Sequence, residues 1–166
     1  MMKFHQQIDE LITKLQSYSD DIISCQGKIL EEDILDTEKK LGITLPSDFR
    51  YFLSRMNGFS LYGDILIPIV DSTENFIQPD IIEVNKREHT EVENEMPDFF
   101  LPFAANGRGD HYCFDLRKKN LDGTSPVIFW QWDYSFFHPD DIDQTHNNFI
   151  GWVEELIEAV DEELEV

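Results

Sequence analysis

The stretch Val127 to Tyr134, VIFWQWDY, constrains this chain more than any other. The period-two alternation of a strand puts Ile128, Trp130, Trp132 and Tyr134 on one face and Val127, Phe129, Gln131 and Asp133 on the other. Both faces are apolar or aromatic near its start. Such a strand runs centrally in a sheet covered on each side, or leaves one face open to a partner. Trp130 fits the core. Trp132 and Tyr134 lie closer to the acidic end and suit the core or a binding rim almost equally, since Trp and Tyr are favoured interface anchors.

The rest of the chain shows what can cover that strand. FHQQIDELITKLQSY places Phe4, Ile8, Leu11, Ile12 and Leu15 on one helical stripe. EEDILDTEKKLG predicts a second helix with Ile34, Leu35, Glu38 and Leu41 on one side, acids in its first turn, lysines in its last, and Gly42 to end it. A third begins near Pro46, repeats Phe49, Phe52, Leu53 and Met56, and stops at Asn57-Gly58. GDILIPIV reads as a short strand. Residues 71–98 carry nine acids and two bases around the helical stretch DIIEVNKREH and read as an exposed, mobile segment.

After Met96-Pro97 the pattern turns to β: FFLPFAAN, DHYCFDL and PVIFWQWDY. The tail NNFIGWVEELIEAVDEEL is an amphipathic helix with Phe149, Trp152, Val153, Leu156, Ile157, Val160 and Leu164 as its buried stripe. Helices first, a sheet in the middle and a helix last make an α+β domain, because strands and helices do not alternate as in βαβ units. With 166 residues the chain is read as one domain, 1–166.

Between two of those strands stands NGRGD, residues 106–110. A dinucleotide loop needs a third glycine and a following helix; here a strand follows. The segment predicts a hairpin turn, with Asn106 and Gly107 supplying positive φ and Gly109 relieving strain or accepting a bulge. Nothing resembling a secretion signal precedes it, so the Arg-Gly-Asp tripeptide does not read as an adhesion motif.

Several function classes fall away on the same grounds. His111 and His138 have acidic neighbours but no zinc spacing, and DYSFFHPDDID lacks the grammar of a calcium loop, so no metal is expected. No nucleophile elbow, phosphate loop or catalytic cysteine signature occurs, and no catalytic residue or cofactor is assigned. Cys25 and Cys113 read as buried or partly buried free thiols. No apolar run is long enough to span a bilayer, and the expected location is the cytoplasm.

The charge is far from balanced. Thirty-four acids against 13 bases give a net charge of −21, and residues 120–166 hold twelve acids with no Lys or Arg. Such a field repels nucleic acid and anionic membranes and accelerates encounter with a basic partner, although solubility alone also explains an acidic surface.

Three ordered stretches, ILEEDILDTEKKLGITLPSDFRYFLSRMNG, FLPFAANGRGDHYCFDL and PVIFWQWD, followed by an acidic loop and a final amphipathic helix, resemble the SUKH superfamily. The likeness is to its branch related to a fungal regulator of cell-wall assembly, and runs from about Ile29 to Leu164. The resemblance implies a central, largely antiparallel sheet flanked by helices. It also implies that Gly58, Gly107, Gly109, Asp110, Asp115 and Trp130 build a scaffold and its cleft. Bacterial members are mostly immunity proteins that bind and block a toxin domain, in many cases a nuclease; the fungal branch is regulatory, which leaves a non-enzymatic interaction domain without a toxin as the alternative. The expected partner is a basic toxin protein, met through Trp132, Asp133, Tyr134, Asp140, Asp141 and Asp143.

Overall fold

The computed structural model describes residues 4–70, 79–133 and 138–165. Among them seven strands form one antiparallel sheet in which each strand pairs with the next in sequence: β1 (Ile23–Cys25), β2 (Phe59–Leu61), β3 (Asp64–Leu66), β4 (Phe100–Ala105), β5 (His111–Asp115), β6 (Val127–Trp130) and β7 (Gln144–His146). Helices α1 (His5–Gln16), α2 (Glu31–Leu41), α3 (Ser47–Arg55), α4 (Ile81–Thr90) and α5 (Phe149–Leu164) surround it. The architecture is α+β with an amphipathic C-terminal helix, as the order of periodicities predicts.

β6 is apolar on both faces because there is a core on each. Val127 joins a large cluster with Phe103, Phe114 and the inward face of α5, whereas Ile128 and Trp130 join a smaller one with Met96, Phe100 and Cys113. The large cluster centres on Phe49, whose ring lies 5.1 Å from Phe114, 5.2 Å from Phe149 and 5.8 Å from Phe103. Tilted and edge-on contacts of this kind add about 0.5–1.5 kcal/mol per pair to the burial itself. Buried Asp48 ties α3 to α5: Oδ1 accepts the Phe49 amide at 2.8 Å and Oδ2 the Ile150 amide at 3.2 Å. Burial lifts its carboxyl to about 6 in spite of those amides, which favour the charged form.

The structure corrects several local expectations. Leu35 and Leu164 are exposed, so each helical stripe is narrower than its apolar residues suggest. The third helix starts at Ser47, with Pro46 as its cap, and ends at Arg55 with Met56 extended, not at a left-handed Asn57-Gly58 pair. Asn57 instead spends its amide on Ile69, donating to the carbonyl at 3.0 Å and accepting from the N–H at 2.9 Å. Gly58, at φ 103°, passes so close to β3 that a Cβ would stand 2.8 Å from the Leu66 carbonyl oxygen.

Of the stretch 71–98, expected to be exposed, residues 71–78 lie outside the described residues, and 79–98 are partly buried. α4 is capped by Asp80, which accepts the Glu83 amide, and it buries Ile81, Val84, Glu88 and His89. Of the two thiols, Cys113 is buried but Cys25 is exposed. β1, β2 and β7 have three residues each, too few for alternation to be seen in a sequence.

Candidate functional site

β6 ends at Trp130, so Trp132 stands in the turn beyond it and not on the strand. That turn is fixed at both sides of Trp132. Its N–H donates to Asp110 Oδ1 at 3.2 Å, and its carbonyl accepts from Asn94 Nδ2 at 2.7 Å. Asp110 is held in turn by Asn106, whose Nδ2 donates to Oδ2 at 3.1 Å and whose Oδ1 accepts the Arg108 amide at 2.8 Å. The NGRGD segment is therefore the hairpin turn joining β4 and β5, with Gly107 and Gly109 at φ 79° and 94°.

Gly109 does more than turn the chain. A Cβ there would lie 3.3 Å from Trp132 Cδ1, so the indole leans on bare backbone. Held on that seat, Trp132 remains 61 % exposed. It borders a cleft of about 570 Å³ together with Gly109, Asp133, Glu88, Val92, Glu93 and Asn94.

Glu88 contributes to that cleft from a nearly buried position, 6 % exposed. Its Oε2 accepts Arg87 Nε at 3.1 Å, and its Oε1 stands 3.6 Å from His111 Nδ1, beyond hydrogen-bond range. His111 Nδ1 is buried without a hydrogen-bond partner. Burial pushes the imidazole below its ordinary value, opposed by Glu88. The turn after α4 is folded back by Met96, whose N–H donates to the Glu88 carbonyl at 2.8 Å.

The other expected positions fall elsewhere. Asp140 and Asp141 form a 3-10 turn, Pro139–Asp141, at the opposite end of β5. There Arg117 bonds buried Asp115 through Nε and Nη2, both at 3.0 Å, and Asp140 through Nη1 at 2.7 Å, while its guanidinium lies 4.1 Å from the Phe99 ring centroid. Arg117 holds the Asp140 carboxyl below the usual carboxylate range. Asp141 and Asp143 are exposed, Trp130 is buried in the smaller core, and Tyr134 lies outside the described residues.

The acids of the final 47 residues do not gather at one pole, as a single capture surface built from them would require. Ile142, in the Asp140–Asp143 segment, packs with the smaller core, whereas α5 covers the larger core on the other side of the sheet. Along α5, Glu158, Glu162 and Glu163 form no ion pair among the described residues; Asp161 is paired with Lys14 at 3.3 Å. Sequence reading missed Glu88, Val92, Glu93 and Asn94 altogether. They sit 15 to 45 positions from their neighbours in the cleft, and only the return of the α4 turn to β5 and β6 brings them together.

Among the described residues no three His, Cys, Asp or Glu side chains gather as a metal site would, and no helix is long and apolar enough to cross a membrane. The Cys113 thiol is pushed well above its ordinary value by burial, and Cys25 is raised by burial and Asp20, the reverse of an activated nucleophile. No curated protein matches the chain. A family profile does, across residues 28–155, a span that includes the smaller core, most of the larger one, the hairpin turn and Trp132. The chain belongs to the SMI1 / KNR4 family (SUKH-1).

Proposed function

We propose that this chain is a non-enzymatic immunity protein of the cytoplasm that neutralises a basic toxin domain by stoichiometric binding. The observation that carries this reading is Trp132: a large, exposed aromatic side chain, fixed by two backbone hydrogen bonds and seated on Gly109 at the edge of an acid-lined cleft. A pre-positioned indole on a polar surface is the usual form of an interface anchor, since little side-chain freedom remains to be lost on binding. The family membership agrees with such a role, and so does the net charge of −21. A nuclease suits the part of target, because its phosphate-binding groove is basic. The chain contributes no catalytic group; it blocks by occupying space and by opposing charge.

The test is co-expression with the terminal domain of the neighbouring reading frame. Restored growth together with co-purification in a 1:1 ratio supports the proposal. Association should slow at least several-fold between low and physiological salt, as screening shortens the field. A neighbouring domain that neither kills nor binds would reject the toxin reading in favour of a regulatory interaction domain.

A further inference from the structure

The Trp132 cleft has a chemistry more specific than general acidity. We propose that it receives one arginine side chain of the partner, the guanidinium lying against the exposed indole and meeting the carboxylates of Glu93 and Asp133. The inference rests on the proposed function for the partner's existence, but not for the chemistry.

Three observations point to a planar cation. The indole is braced on one side by Gly109 and open on the other, which offers a flat surface of negative potential to a cation. Three carboxylates line the same cleft, and Arg87 is already bonded to Glu88 Oε2. Glu88 Oε1 stands 3.6 Å from His111 Nδ1, beyond hydrogen-bond range, so that carboxylate oxygen is not engaged by the imidazole. Arginine satisfies all three features. It stacks on aromatic faces, presents a fork of donors to carboxylates, and sheds water more readily than an ammonium group does. The asparagine that borders the cleft cannot substitute, since Asn94 Nδ2 is committed to the Trp132 carbonyl.

The experiment uses the full 15N-labelled chain titrated with N-acetyl-arginine N-methylamide, its lysine counterpart, and its citrulline counterpart, which keeps the shape and loses the charge. The chain has three tryptophans, and the Trp132 indole N–H resonance is assigned as the one missing from Trp132→Phe. Arginine should move that resonance to saturation and bind roughly tenfold more tightly than citrulline. Lysine should fall between them. Glu93→Gln and Asp133→Asn, both exposed or half-exposed positions, should each weaken arginine several-fold without altering the rest of the spectrum. Equal binding of arginine and citrulline would overturn the proposal, and so would arginine shifts confined to the Glu154–Glu165 face of α5.

The two proposals can fail separately. If a toxin domain binds and Trp132→Ala leaves its affinity unchanged, the cleft assignment falls while the immunity function stands. If arginine binds at Trp132 but no neighbouring domain does, the cleft stands and the immunity function falls.

Discussion

Replacing Asn57 by alanine should be among the most damaging single changes in this protein, although Asn57 touches neither core centre nor cleft. Its amide makes both backbone hydrogen bonds of Ile69, at 2.9 and 3.0 Å. Asn57 is 1 % exposed and Ile69 fully buried, so water cannot replace the lost side chain. Each buried backbone group left without a partner costs about 1–3 kcal/mol, which puts the pair near 4 kcal/mol. In a domain of this length that lowers the melting temperature by roughly 8–16 °C. The assay is urea unfolding followed by circular dichroism, with the slope of the transition expected to stay constant while its midpoint falls. Leu35→Ala is the control. A helical-stripe reading would place Leu35 inside, at about 2–5 kcal/mol, whereas its 54 % exposure limits the loss to about 0.5 kcal/mol. An Asn57→Ala variant that loses less than about 1 kcal/mol would refute the bidentate role.

Asp48 should make stability depend on pH in a direction unusual for an acid. Its folded value of about 6 lies above the unfolded one, so the folded state holds the proton longer and stability falls as pH rises through that window. Between pH 5 and 7 the loss is about 1 kcal/mol, and Asp48→Asn should lack that slope, so the stability difference between the two proteins should itself change with pH over this range; a pH-independent difference would contradict it. Gly109→Ala should cost about 1–2 kcal/mol in backbone strain at φ 94° and displace the indole from its seat, so that arginine binding at Trp132 weakens. Unchanged stability and binding would show that the seat is not needed.

The larger elements were legible in the sequence because periodicity reports burial. α1, α2, α5, β4 and β5 each bury enough residues at regular spacing to be read, and the two-faced composition of β6 foretells two cores. Asn57-Gly58 shows the limit. The pair looks like a helix stop, yet its importance comes from Ile69 and Leu66, contacts that only the folded chain creates. The same holds for the cleft. Trp132 could be singled out by its chemistry, but alternation placed it on a strand that ends two residues earlier. Of the acids expected there, Asp133 borders the cleft, joined by Glu88 of α4 and Glu93 of its following turn, whereas Asp140 pairs with Arg117.

The order of the sheet, with every strand beside its successor, has a consequence for how the molecule can change. Each connection leaves and re-enters between adjacent positions, so lengthening or rewriting one of them obliges no other to be rerouted. The turn after α4 and the turn after β6, which together shape the Trp132 cleft, can be redrawn while the pairing beneath them keeps its register. The architecture thereby separates the part that must remain constant from the part that is free to vary.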